Sequence, residues 1–300
     1  MKGIVLAGGA GTRLYPLTLS VSKQLLPVYN KPMIYYPLST LMLAKIRDVL
    51  IISTPQDTPR IKELLGDGAD LGMHLSYAVQ EKPEGLAQAF TIGKDFIGDD
   101  ACAMVLGDNI FYGNGLGRKL YGAAQRAEAG EAVIFGYYVE DPQRFGIMEF
   151  QQKEEFSEEG LKVISLEEKP AHPKSNYAVV GLYFYPPGVS EMAEKVVPSK
   201  RGELEITSLN EMYLKEGRLS AEILSRGYTW MDAGTIDSLR KATNFVCMIE
   251  QYQGMSISAL EEIAYRYGWI SKESLIKSAE RYGKSQYGEH LMAVAEGRVI

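Results

Sequence analysis

Gly8, Gly9 and Gly11 precede Arg13, and Lys23 follows ten residues later, among apolar residues and prolines. The glycines let the backbone turn sharply and turn its N–H groups outward. Free N–H donors beside a guanidinium can cradle a phosphate. Two cations on one loop suit a polyphosphate better than an ordinary solvated surface. The order G-G-x-G-x-R has neither the spacing of the dinucleotide fingerprint nor that of the G-x-x-x-x-G-K-[ST] phosphate loop. Taken alone, such a loop also serves as a plain structural turn. Two aspartates add to the chemistry. Asp108 lies in Leu106-Gly107-Asp108-Asn109, just past an apolar run, and Asp232 lies in Trp230-Met231-Asp232-Ala233-Gly234-Thr235. Each could be a turn residue, Asp232 near a helix start where aspartate is common. Beside a phosphate cradle the pair points to a divalent cation, because Mg2+ takes one or two carboxylates plus phosphate oxygens.

Elements must hold these groups in place. Residues 3–7 carry no polar side chain and read as a buried parallel strand. Residues 48–53, 74–79, 102–107 and 132–139 read as further strands, and 32–46, 85–96 and 116–129 as helices. Strand–helix alternation of this kind predicts an α/β fold: a Rossmann-like, mainly parallel mixed sheet with helices on both faces. Such sheets bind ligands beyond the carboxyl ends of their strands, and the loops after Ala7 and Leu106 lie at such ends. From 145 to 185 the pattern is strand-like without helices, which predicts a β-rich lobe over one side of the cleft. The polar, acidic stretch 151–160 reads as an exposed hairpin or loop. Beyond Thr235 apolar residues recur at helical spacing, as in 260–270.

Composition excludes several classes. The chain has 300 residues, 46% hydrophobic and 23% charged, an ordinary globular mix. A net charge of −6 argues against a nucleic-acid partner. No apolar stretch approaches the roughly 20 residues of a membrane helix, and no signal peptide is read at the start. Cys102 and Cys247 lie in apolar segments and read as two buried, reduced thiols of a cytoplasmic protein. The three histidines lack ligand spacing for zinc.

The stretch from Leu6 to Pro37, L-A-G-G-x-G-T-R-L-x-P-L-T followed by S-K-Q-L-L-P-V-Y-x-K-P-M-I-Y-Y-P, resembles the sugar-1-phosphate nucleotidyltransferases. The resemblance runs over almost the whole chain and is strongest to members that join dTTP and glucose 1-phosphate. It implies Mg2+-dependent transfer of dTMP to the sugar phosphate, with pyrophosphate as leaving group, feeding dTDP-deoxysugar synthesis such as that of dTDP-rhamnose. By the family pattern Arg13 bridges the triphosphate, Lys23 holds the pyrophosphate portion, and Asp108 and Asp232 hold the metal. Lys169, in a Glu-Glu-Lys-Pro turn, orients the sugar phosphate, although it also reads as a surface lysine. Leu6, Gly8, Gly9, Gly11 and Asn109 line the substrate site. Gln80 and Gly85, in Q-x-x-P-x-G-L-A-Q-A, face the base; a glutamine amide offers donor and acceptor to thymine, and suits uracil as well. Gly146, Glu168 and Val179 face the sugar. Two positions depart from the pattern. Phe145 stands where a tyrosine usually precedes the glycine, which removes a hydroxyl, and Ala233 replaces the usual threonine or cysteine.

The resemblance implies a core over 1–250, with a nucleotide part at about 1–140 and a sugar part at about 141–235. It implies a helical extension over 251–300 that helps form a homotetramer and a regulatory site for a dTDP-sugar inhibitor. Two alternatives stay open: a sister enzyme with another nucleotide such as UTP, and a non-catalytic nucleotide-binding regulator. Retention of Arg13, Lys23, Asp108 and Asp232 argues against the regulator. No hexapeptide repeat follows residue 250, which argues against an appended acyltransferase.

Overall fold

The computed structural model describes residues 1–151 and 160–299. Most of the stretch expected as an acidic hairpin or loop therefore lies outside the described residues.

The strands are β1 (Lys2–Leu6), β2 (Pro27–Val28), β3 (Lys31–Pro32), β4 (Asp48–Ser53), β5 (His74–Val79), β6 (Cys102–Leu106), β7 (Asn109–Gly113), β8 (Ala132–Tyr138), β9 (Gly146–Phe150), β10 (Leu161–Glu168), β11 (Tyr177–Tyr185), β12 (Leu219–Ile223) and β13 (Tyr228–Asp232). Nine of them form one sheet in the order β5-β4-β1-β6-β11-β8-β12-β10-β9. The β1 ladder to β4 and β6 is parallel, as is β4 to β5 and β8 to β12. The strand β11 runs antiparallel between β6 and β8, and β10 runs antiparallel between β12 and β9. The expected mixed sheet is present, and the β-rich lobe extends it.

The helices are α1 (Tyr35–Leu43), α2 (Thr58–Leu65), α3 (Gln88–Ile92), α4 (Lys94–Ile97), α5 (Leu116–Glu128), α6 (Val189–Ala193), α7 (Ile206–Lys215), α8 (Ile236–Gln253), α9 (Leu260–Arg266), α10 (Lys272–Tyr282) and α11 (Gln286–Ala295). The single helix expected over 85–96 is two short ones, separated at Gly93, whose dihedrals leave the helical range. Cys102 is buried as expected; Cys247 is only partly buried, because it lies on α8 away from the sheet, and both thiols are free.

Strand alternation builds two cores, one on each face of the sheet. On β1, Val5 joins Leu38 of α1 and Leu120 of α5, while Ile4 and Leu6 join Phe90 of α3 and Tyr213 of α7. Fully burying each such side chain contributes about 1.5–3 kcal/mol. The C-terminal helices share the first core through Leu260, Ala264, Leu275 and Leu291. A third cluster joins the glycine-loop region to α8: Leu14, Val28 and Tyr36 pack with Ile110, Ala233 and Val246. It ties the segment after the glycine loop to α8. Among the described residues no helix is long and apolar enough to cross a membrane.

Candidate active site

A cleft of about 450 Å3 opens beyond the carboxyl ends of β1 and β6. Its lining includes Leu6, Gly8, Gly9, Arg13, Gln80, Gly85, Asp108, Asn109, Gly146, Glu168, Lys169, Val179 and Asp232, all expected from sequence. Gly11 and Lys23 are not in the lining. Gly11 sits behind the loop at φ +60°, where a side chain would press on Thr18 and Lys23. Lys23 reaches the cleft through its ion pair with Asp108.

At the phosphate end, glycines permit two close approaches. A Cβ on Gly8 would lie 2.3 Å from Gln80 Oε1, so only glycine lets the Gln80 amide reach the loop. Gln80 is 5% exposed, and its Nε2 donates to Gln88 Oε1 at 2.6 Å. That bond orients the amide. A Cβ on Gly234 would lie 2.7 Å from Arg13 Nη2 and 2.6 Å from Asp232 Oδ1. The Arg13 guanidinium is thereby laid over the backbone next to Asp232.

The two aspartates come together through a ribbon. The strands β7 and β13 pair antiparallel, with Asn109 opposite Asp232. Ala233 N then donates to Asp108 O at 2.9 Å. Asp232 Oδ1 accepts from Gly234 N at 2.8 Å, and the cap of α8 is Thr235, not Asp232. Asp232 is thus free of the capping role that its position near a helix start offered. Ala233 faces the third core, fully buried.

Charge in the site is strongly biased. Burial pushes the Asp108 carboxyl up, but the Lys23 ammonium and the Asn109 amide outweigh it and hold Asp108 below the usual aspartate value. Burial and the adjacent Asp108 charge push Asp232 above its ordinary value, with Lys23 and Arg13 offsetting part of that. Two partly buried carboxylates repelling one another beside an ammonium make a natural seat for a cation. A pair of carboxylates, rather than a closed protein cage, fits a cation that completes its shell with water and phosphate oxygens.

Asn109 is 2% exposed and uses both ends of its amide inside the protein. Its Oδ1 accepts from Trp230 Nε1 at 2.6 Å and from Gly181 N at 3.2 Å. Its Nδ2 donates to Asp108 Oδ1 at 2.9 Å. These bonds fix the orientation of the amide beside Asp108.

The other end of the cleft is an ionic fork. Glu168 Oε2 accepts from Thr207 Oγ1 at 2.5 Å, and its Oε1 accepts from Arg201 Nη2 at 3.1 Å. Lys169 Nζ lies 3.8 Å from Glu168 Oε1. Lys169 adopts φ +45°, an uncommon conformation for a non-glycine residue, and its N–H donates to Phe145 O at 3.0 Å. A Cβ on Gly146 would crowd Glu168 Oε2 and Thr207 Oγ1 at 3.0 and 3.1 Å. Val179, Gly181 and Tyr183 reach the cleft from β11, where the register to β8 shifts. The Phe145 ring meets Trp230 edge-on, with centroids 5.4 Å apart.

Gly85 lines the cleft and also carries a constraint that the sequence does not announce. At φ +117° its Cβ would lie 2.4 Å from Leu204 O, so the residue's first constraint is backbone against backbone. Leu204 N donates to Glu84 O at 2.6 Å, and Ala87 N donates to Leu204 O at 3.1 Å. Sequence reasoning missed the segment that follows, with Arg201, Glu205 and Thr207 in the lining. Its Arg-Gly-Glu-Leu-Glu composition reads as an ordinary solvated turn. Only the preceding Pro198 and the acidic pair Glu203 and Glu205 around Leu204 hinted at a shaped loop.

A family model described as nucleotidyl transferase matches residues 2–248. A Neisseria meningitidis glucose-1-phosphate thymidylyltransferase is 54% identical, over 97% of this chain and 98% of its own. A Mycobacterium tuberculosis protein of the same name is also 54% identical, over 99% of each chain. A Bacillus anthracis crystal structure assigned to the same activity, in complex with a sucrose, superposes with a TM-score of 0.71 at 40% identity, covering 82% of this chain and 94% of that one. A UDP-glucose pyrophosphorylase complexed with UDP-glucose shares the fold, with a TM-score of 0.70 at 23% identity over 83% of this chain and 98% of its own. The cleft that gathers the glycine loop, two cations and two carboxylates at the ends of β1 and β6 is thus carried by a chain that belongs to the nucleotidyl transferase family, among the glucose-1-phosphate thymidylyltransferases.

Proposed function

We propose that the chain transfers dTMP from dTTP to α-D-glucose 1-phosphate, giving dTDP-glucose and pyrophosphate. The observation that carries this reading is the polarity of the cleft: Arg13, Lys23 and the aspartate pair at one end, the Glu168–Lys169–Arg201 fork at the other. An oxygen of the sugar phosphate attacks the α-phosphorus in line. A new O–P bond forms as the bond to the bridging oxygen of pyrophosphate breaks. The nucleophile is already ionised, so no general base is needed. Both reactants are anions, and positioning with charge neutralisation supplies most of the acceleration.

Arg13 holds the triphosphate and Lys23 the departing pyrophosphate. Lys169 and Arg201 hold the sugar phosphate, while Glu168 fixes both cations and faces the sugar hydroxyls with Gly146 and Val179. Gln80 reads the pyrimidine edge, beside the backbone of Gly8, Gly9 and Gly85. The family works with a divalent cation; here we assign Mg2+, held by Asp108 and Asp232. Bound between these carboxylates, it would supply charge neutralisation at the α-phosphate.

We carry three further readings. The core spans 1–250 and the helical extension 251–300. Met248, Tyr252 and Met255 are exposed on and just past α8, which supports a subunit contact there and a homotetramer open to feedback by a dTDP-sugar. The two free thiols support a cytoplasmic site of action.

The test is pyrophosphate release from dTTP and glucose 1-phosphate with Mg2+, in wild type and Asp108→Asn. Release that drops by about 10^3-fold in the variant is expected. Release with UTP but not dTTP would move the chain to a sister activity. No release with any nucleotide would overturn the enzyme reading.

A further inference from the structure

Trp230 lines the cleft, but its indole N–H is spent inside the protein. Its acceptor is Asn109 Oδ1, 2.6 Å away. The same oxygen accepts the Gly181 N–H at 3.2 Å. Both neighbours are obligate donors, an indole N–H and a backbone N–H. They therefore fix which end of the Asn109 amide faces them, and the NH2 end must face the other way. There it donates to Asp108 Oδ1 at 2.9 Å. Gly181 makes room for this arrangement, since a Cβ would lie 2.7 Å from Asn109 Oδ1. The relay joins three strands: Trp230 from β13, Asn109 from β7 and Gly181 from β11. Asp108 Oδ2 faces Lys23 on the opposite side.

We infer that Trp230 is a positioning residue for the cation site, acting through Asn109 on the rotation of the Asp108 carboxylate. The inference rests on the assignment of the cation to Asp108. Without the indole donor, Asn109 has one donor left on Oδ1, and its amide can turn or flip. The carboxylate then loses its fixed plane and presents its oxygens to the cation less often. Groups that orient a metal-bound side chain are commonly worth 10–100-fold in affinity.

Trp230→Phe removes one N–H and keeps an aromatic ring against Phe145 and Tyr137. The readout is Mn2+ affinity of the full chain, followed by the electron paramagnetic signal of free Mn2+, with neither nucleotide nor sugar present. Contacts of the ring with substrate cannot enter such a measurement. Expected is a loss of about tenfold in Trp230→Phe and in Asn109→Ala, with no additional loss in the double variant. In turnover, raising Mg2+ should restore kcat in Trp230→Phe. Mn2+ affinity within twofold of wild type in Trp230→Phe, alongside a large loss in Asp108→Asn, overturns the relay and leaves the cation assignment standing. Full additivity in the double variant also overturns it, because Trp230 would then act by another route. Undiminished Mn2+ binding in Asp108→Asn overturns the cation assignment and the relay with it.

Discussion

Lys23 donates to Asp108 Oδ2 in the floor of the cleft, although the two lie 85 residues apart in the chain. Lys23 comes from the turn before β2 and Asp108 from the turn after β6. The Lys23 side chain is 10% exposed and that of Asp108 17%, so each charge compensates the other for leaving water. Lys23→Ala leaves Asp108 facing Asp232 with no ammonium between them. We expect a fall in kcat/KM of about 10^2–10^3 and a lower unfolding midpoint at neutral pH. The stability deficit should shrink as pH falls, because protonation relieves the repulsion. Thermal unfolding of both proteins across the acid range checks the sign; a deficit that grows towards acid would refute the pairing.

Asp232 makes the opposite contribution. Burial and Asp108 raise its folded pKa, so its charged form destabilises the fold at neutral pH. The penalty is present above the folded pKa and disappears as pH falls towards the ordinary aspartate value of about 3.9. In EDTA, Asp232→Asn should unfold at a higher temperature than wild type near neutrality, with the gap closing towards acid. Adding Mg2+ should raise the wild-type midpoint and leave the variant's unchanged. Equal midpoints in EDTA at every pH would contradict this account.

Gly8→Ala places a methyl group where Gln80 Oε1 now lies. The amide must swing out or the loop must lift. Initial rates should show KM for dTTP raised about tenfold with KM for glucose 1-phosphate little changed. An unaltered dTTP KM would separate Gln80 from base recognition.

Arg201→Ala removes a cation from the far end of the cleft and frees Glu168 Oε1 from one partner. KM for glucose 1-phosphate should rise about tenfold, while KM for dTTP holds. A change confined to dTTP would place Arg201 on the wrong substrate.

Much of the site was legible in the chain because its chemistry is local. Gly8, Gly9, Gly11 and Arg13 form a continuous loop at the end of an unmistakable apolar strand, and Asp108 follows another. The carboxylate pair was legible as residues but not as geometry. Its spacing depends on the β7–β13 register, which short strands with mixed polarity do not announce. Arg201 was invisible for a different reason. Its place in the cleft depends on Glu168, supplied by β10, as well as on nearby Glu205, and nothing in a charged turn distinguishes it from a solvated one. The same limit explains Asn109. The donors that occupy its amide oxygen, Trp230 and Gly181, come from strands distant in sequence.

The backbone bonds between Leu204 and the Glu84–Ala87 segment have an evolutionary consequence. The stretch proposed to read the base and the stretch that carries Arg201 and Thr207 are stitched together through their backbones. On the proposed roles, a lineage that remodels its choice of nucleotide also loads the loop assigned to the sugar phosphate, and the reverse holds too. Exchange of specificity between relatives should therefore succeed when 80–88 and 199–207 are transplanted as one unit, and fail when either travels alone.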